Sequence, residues 1–276
     1  MCRVLQVSAS GYYYWLHHPV SLRELKEQQL VEQIKEVYRQ SKSRYGSPRI
    51  SFELREQGIR ASRPRVARVM QKHQIQSIIR RKHKVQTTDS SHTYTVAGNH
   101  LSRDFQAVRP AEKWVSDLTY IKTGEGWLYL TVILDLADRK AVGWALSDTM
   151  EAESTTVAAW QMAIRNRPLF YSLLFHSDRG VQYACSAFRE QLEGKPVLQS
   201  MSRKGNCWDN AVAESFFKTM KTEMVYHHNF ATRQVARLAV FEYIEGFYNR
   251  KRRHSALGYL APCQYEDLLY NKAVAA

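Results

Sequence analysis

The sequence predicts an α/β protein: a mixed five-stranded sheet with flanking helices, preceded by a small all-helical region. Three observations predict it. From Trp114 onward, short apolar stretches and longer helical stripes follow in the order three strands, helix, strand, helix, strand, helix. The first three strands are separated only by the turns Gly124-Glu125-Gly126 and Ala137-Asp138-Arg139, which makes them antiparallel neighbours. Ahead of them lies a helix, a glycine turn and a second, basic helix. The chain has 276 residues, 44% of them hydrophobic, enough for one large domain or two small ones with a real core.

Leu22 to Gln40 reads as a helix with Leu30, Ile34, Val37 and Tyr38 on one face. Ser43 to Pro48 is a turn, and Pro48 suits the first turn of a second helix that Gly58 stops. Ser62 can cap a third helix, with Val66, Val69 and Met70 inward and Arg63, Arg65, Arg68 and Lys72 on its other positions. This is the outline of a helix-turn-helix, for which DNA contact competes with a merely solvated basic face. A linker follows, basic at Arg80, Arg81, Lys82 and Lys84 and then rich in Thr and Ser. Trp114–Ile121, Trp127–Leu134 and Lys140–Leu146 are the first three strands, and Glu153 to Asn166 is a helix with Val157, Trp160 and Ile164 on one stripe. Ser172–Phe175 is a fourth strand, Ala184–Leu192 a helix, Pro196–Leu198 a short fifth strand and Trp208–Met224 a long helix. That order is the one of an RNase H-like fold. Thr232 caps a further helix bearing Val235, Leu238, Ile244 and Phe247, and the closing segment from Arg253 to Tyr259 is aromatic and basic. The expected organisation is therefore a helix-turn-helix-like region over 1–77, a basic linker over 78–109, an RNase H-like core over 110–228 and a helical basic extension over 229–276.

A formal net charge of +14 points to a polyanionic partner, with nucleic acid the default. The charge is clustered: nine Lys or Arg and no acid lie between Arg60 and Lys84, and Arg250-Lys251-Arg252-Arg253 forms a second block. Cys2, Cys185, Cys207 and Cys263 show no metal-ligand spacing, which argues against a structural zinc and suits a reducing compartment. No apolar run approaches the roughly 20 residues of a membrane span, and the start lacks the apolar stretch of a signal peptide. A cytoplasmic protein, associated with the nucleoid when on DNA, is expected.

Three acids carry the chemistry. Asp117 lies inside the first strand, Asp178 just past the end of the fourth, and Glu214 in the long helix, with thirty-five residues between the last two. Acids on three separate elements can converge on two divalent metals about 4 Å apart, which activate the attacking oxygen and stabilise the leaving one. An acid beyond the carboxyl end of a buried strand sits where α/β folds open their sites. Two of them have a bland alternative: a salt bridge to an arginine for Asp117 and a surface Glu–Lys pair for Glu214. Asp135 competes as a ligand, and Asp209 could cap the Glu214 helix. Asn210, Glu214, Lys218 and Lys221 share one helix face, where the lysines can neutralise a DNA phosphate. Arg63, Arg65, Arg68 and Arg80–Lys82 are expected on phosphates too. Asn249, Arg250, Arg253 and His254, flanked by Tyr248 and Tyr259, either hold a DNA end or pack the tail on the core.

The strings Trp114-Val115-Ser116-Asp117-Leu118-Thr119-Tyr120, Val142-Gly143-Trp144, His176-Ser177-Asp178-Arg179-Gly180-Val181-Gln182-Tyr183, Asn206-Cys207-Trp208-Asp209-Asn210-Ala211 and Glu214-Ser215-Phe216-Phe217 carry a resemblance. So do Arg44-Tyr45-Gly46-Ser47-Pro48-Arg49-Ile50 before them and Tyr248-Asn249 and Arg253-His254-Ser255-Ala256-Leu257-Gly258-Tyr259 after them. Together the chain resembles the OrfB-type transposases of the insertion-sequence-three (IS-three) family, D-D-E enzymes related to retroviral integrases. The resemblance implies metal-dependent cleavage and strand transfer at element ends, with Asp117, Asp178 and Glu214 holding two Mg²⁺ or Mn²⁺ ions and Lys221 near the transposon end. It implies double-stranded DNA as partner, both terminal repeats and target, with a homo-oligomer forming on it and no membrane. In this family an upstream frame (OrfA-type) supplies a helix-turn-helix and coiled coil, as partner or by frameshift fusion. A nuclease or resolvase that only hydrolyses, or a non-catalytic DNA-binding regulator, is the competing expectation.

Overall fold

The computed structural model describes residues 2, 4–17, 21–78 and 94–274. The chain divides into two compact units, Met1–Ile78 and Ile79–Ala276.

In the first unit, α1 (Ala9–Leu16) precedes α2 (Leu22–Gln40), α3 (Ser47–Glu56) and α4 (Arg63–Lys72). Ser21 caps α2 through a reciprocal box with Glu24. Leu30, Ile34 and Val37 of α2 meet Ile50 and Leu54 of α3 and Val66, Val69 and Met70 of α4 in a buried core. Gly58 turns the chain after α3 with φ +78°, a conformation a β-carbon disfavours. Pro at the start of α3 and α4 costs no internal hydrogen bond there.

The second unit is built on a five-stranded sheet of order β3-β2-β1-β4-β5. β1 (Lys113–Thr123), β2 (Gly126–Asp135) and β3 (Ala141–Ser147) form an antiparallel meander, while β4 (Leu173–Ser177) and β5 (Val197–Met201) run parallel to β1. A π turn over Glu153–Val157 leads into α5 (Ala158–Asn166). The short α6 (Val181–Ala184) and α7 (Ser186–Leu192) are separated at Cys185, so the single helix expected over Ala184–Leu192 is broken there. Trp160 of α5 stacks edge-on against Trp114 and Phe175, with ring centroids 5.8 and 5.4 Å apart, and Phe188 closes this face. Gly143 is fixed by closeness: a β-carbon there would lie 2.3 Å from the Ala159 carbonyl oxygen, so β3 and α5 meet backbone to backbone.

α8 (Ala211–Glu223) lies against β1 and β2, burying Phe216, Phe217 and Met220, and α9 (Arg233–Phe241) follows, capped by Thr232. A π turn over Glu242–Tyr248 and α10 (Pro262–Val274) complete the unit. α10 is held by Arg167, which bonds Asp135 (2.6 Å), Asp138 (2.7 Å) and Glu266, while Lys140 pairs with Glu266 as well. No helix among the described residues is long and apolar enough to cross a membrane.

Candidate active site

Val115 of β1 is paired with His176 of β4, and the parallel ladder ends there. Asp117 and Asp178 each stand two residues further on, at matching positions beyond the last pair. Strand pleating sends Trp114 and Ser116 to the α5 face and Val115 and Asp117 to the opposite one, where α8 lies. Asp117 is held by a hydrogen bond from the Leu118 N–H to Oδ1 (2.8 Å), and Asp178 by one from the Gly180 N–H to Oδ1 (2.9 Å). The turn at Gly180 thus aims the second carboxylate.

The three acids sense one another. Burial raises the Asp117 carboxyl well above its ordinary value, and the charges of Asp178 and Glu214 raise it further against the pull of Lys221. Burial and then the Asp178 charge raise Glu214. Lys221 is depressed by burial, favoured by Asp117, and its Nζ stands 5.3 Å from the Tyr120 ring centroid. Clustered anions with Lys221 beside Asp117 suit a divalent cation, and carboxylate oxygens are ligands that Mg²⁺ takes. Among the described residues, no group of three or more His, Cys, Asp or Glu is drawn close enough together to ligate an ion. The acids are coupled electrostatically without being closed into a coordination shell.

Around them stands a polar frame. His176 is fully buried between Ser200 Oγ (2.8 Å from Nδ1) and Ser202 Oγ (3.1 Å from Nε2). Ser200 Oγ already accepts from the His100 and Leu101 N–H groups, so its proton goes to Nδ1 and the imidazole is the neutral Nε2–H tautomer. Burial pushes its pKa down to about 4, consistent with that neutral ring. Asp209, fully buried, accepts from Arg203, Arg103 and Asn99 and from the Arg203 main chain, which holds its carboxyl far below the usual range. It therefore secures the loop before α8 instead of capping the helix. Asp135 is likewise spoken for, accepting from Trp114 Nε1, the Ala111 and Ala137 N–H groups and Arg167, which removes it as a competing ligand.

The chain matches known proteins over nearly its whole length. The chain is 39% identical to the transposase InsF of insertion sequence IS3A from Escherichia coli K12, over 97% of this chain and 93% of that one. It belongs to the insertion-sequence-three family of transposases. Membership makes it a D-D-E-type polynucleotidyl transferase. A 31 kDa protein of insertion element IS600 from Shigella sonnei is 41% identical over 99% of this chain and all of its own. Integrase core domain models match residues 107–207 and 214–268, and an HTH-like domain model matches 24–83. Among solved structures, a simian T-cell lymphotropic virus intasome in complex with PP2A regulatory subunit B56 gamma aligns with TM-score 0.49 at 12% identity, covering 84% of this chain and 74% of that one.

The structure distributes the other expected residues of this transposase unevenly. Lys218 is exposed and Lys221 half-buried on α8, while Arg63, Arg65 and Arg68 are exposed on α4 and Arg250 on the C-terminal segment. Arg80, Arg81 and Lys82 lie outside the described residues. Asn210 is buried, with Nδ2 donating to the Ser116 carbonyl at 2.9 Å. Asn249 is buried too, and both ends of its amide are spent on the Ala141 main chain (3.0 and 3.1 Å). Arg253 is buried against Gln264 Oε1 and the Tyr259 carbonyl, and His254 packs edge-on to Tyr248 with its main chain bridged to Leu260. Asn210, Asn249 and Arg253, expected on DNA, are buried and make these internal hydrogen bonds. Sequence reasoning missed the Asp209 clasp, whose partners at 99 and 103 sit in a segment that carries no periodicity.

Proposed function

We propose that this chain cuts and joins DNA at the ends of an insertion sequence, with Asp117, Asp178 and Glu214 as its catalytic acids. The observation that carries this reading is the placement of Asp117 and Asp178 beyond the last β1–β4 pair, electrostatically coupled to each other and to Glu214. Mg²⁺ or Mn²⁺, as a pair held by these carboxylates, would supply the charge that activates the attacking oxygen and stabilises the leaving one. Asp178 is aimed by Gly180, Asp117 is fixed by its Leu118 bond, and Lys221 sets a positive charge beside Asp117 for the DNA phosphate. Lys218 extends that charge along the exposed face of α8. Arg63, Arg65 and Arg68 of the helix-turn-helix-like unit, with Arg80, Arg81 and Lys82, grip phosphates outside the site. Terminal repeats and target are both double-stranded DNA, held by a homo-oligomer together with an OrfA-type partner or fusion.

The test is a strand-transfer assay on full-length protein with a pre-cut end, with and without the upstream protein, in Mg²⁺ and in Mn²⁺. Joined product is expected from the wild-type chain and none from Asp178→Asn. Hydrolysed ends without joined product would assign the chain to the nuclease class instead, and an active Asp178→Asn would refute the assignment of the acids.

A further inference from the structure

Along β1 the main-chain groups alternate in direction. The Glu112 carbonyl accepts from the Leu174 N–H of β4 (2.9 Å), while the Lys113 carbonyl turns the other way, to the Leu136 N–H (2.9 Å). Ser116 has the parity of Glu112, so its carbonyl faces β4. Donors in a parallel ladder advance two residues at a time. From Leu174 they run to His176 and then to Asp178, which would be the donor for Ser116. The pairing stops at Val115–His176, and the Ser116 carbonyl accepts from Asn210 Nδ2 instead (2.9 Å).

A side-chain amide therefore stands where the main chain of Asp178 would have been. Asn210 opens α8, one helical turn ahead of Glu214. Its neighbour across the bond, Ser116, directly precedes Asp117 and is fixed from its own side chain by Tyr183 (2.7 Å) and the Val132 carbonyl (3.0 Å). One amide thus ties the residue before Asp117 to the start of the helix that carries Glu214. Its orientation is dictated, because an acceptor facing the Ser116 carbonyl would repel it. The other end, Oδ1, is buried and has no hydrogen-bond partner among the described residues.

We propose that Asn210 is a positioning residue: by replacing the Asp178 main chain as donor to Ser116, it ends the β1–β4 ladder and docks the Glu214 helix beside both aspartates. This rests on the reading of the three acids given above.

The experiment uses the full-length chain bound to an end-bearing DNA, as wild type, Asn210→Ala, Asn210→Asp and Asp178→Asn. Asn210→Asp keeps the shape and removes the donor. Mn²⁺ affinity is read by paramagnetic resonance titration, kcat and KM by end cleavage, and folding by thermal melting. Both Asn210 variants should bind Mn²⁺ on the order of tenfold more weakly and lose kcat by a similar factor, with KM and the fraction folded unchanged. Wild-type Mn²⁺ affinity and kcat in either folded variant would overturn the proposal. So would a loss of rate that merely follows the fraction folded, or failure of both variants to fold. Cleavage by Asp178→Asn would instead remove the reading of the acids on which the proposal stands.

Discussion

Val115 lies opposite His176 as the last pair of the β1–β4 ladder, and the two aspartates follow at equal distance beyond it. This one register brings together two acids that are far apart in sequence. Because burial and mutual repulsion raise the Asp117 carboxyl, its ionised form costs stability. The sign follows: a carboxyl with raised folded pKa stabilises fully below its unfolded value, and that contribution is lost as pH rises through the folded one. At pH 7 the charge is a burden. Asp117→Asn should abolish cleavage, leave DNA binding intact and raise Tm, by roughly 2–4 °C for each kcal/mol of repulsion removed. Glu214→Gln should act alike with a smaller gain. Calorimetry beside a cleavage assay checks this, and a lower Tm in Asp117→Asn would contradict it.

Asp209 behaves in the opposite sense. Its carboxyl is held low first by Arg203, so its stabilisation is present above the unfolded value near 3.9 and fades as pH falls below it. Asp209→Ala should cost roughly 2–3 kcal/mol at pH 7. That is less than a fully enclosed pair would lose, because the two arginine side chains are 47% and 56% exposed. Denaturant melts of the two proteins should differ at pH 7 and converge in acid.

Arg63, Arg65 and Arg68 lie on the exposed side of α4, which carries no acid. Neutralising all three should weaken DNA binding and lower the salt slope by about 0.9 unit per lost phosphate contact. Affinity measured at several salt concentrations decides it, and an unchanged slope would return these arginines to a solvated face.

Asn249 and Arg250 are neighbours with separable roles. Asn249→Ala removes both bonds to Ala141 and should cost about 1–3 kcal/mol of stability. Arg250→Ala is an exposed change that should leave Tm within error while weakening DNA binding. The reverse pattern, measured by melting and by a binding titration, would reverse the two roles.

The strands and the first-unit helices are legible because their apolar periods are clean: β1 and β2 run past both expected ends, while β3, β4 and β5 start one residue later than expected and run past the expected end. Ser172–Phe175 became Leu173–Ser177, since His176 and Ser177 read as polar yet are buried by partners from β5 and beyond. The expected Trp208–Met224 helix begins with a tight turn over Cys207–Asn210, because Asp209 answers to Arg203 and not to the helix end. α1 and α10 were not foreseen. The aromatic run Tyr12-Tyr13-Tyr14 has no helical stripe, and α10 is anchored through Glu266 to an arginine 99 residues away. The three acids could be read from the chain, but Asn210 and Asn249 could not be told from surface amides. Their partners are main-chain atoms 94 and 108 residues distant, which no spacing rule reveals.

The parallel joining of β1 to β4 has a consequence for timing. β1 and β2 meet through a turn at Gly124–Glu125, whereas Trp114 must wait for Phe175 before the second half of the sheet can form. Contacts between distant parts of a chain close late, because the loop between them must first be ordered. The hairpin therefore collapses with only Asp117 of the three proposed catalytic acids in it. The mutually repelling carboxylates come face to face only after the aromatic core at Trp114, Trp160 and Phe175 has been assembled to hold them. On the proposed assignment of the acids, a half-folded chain would hold no complete site at which to cut DNA.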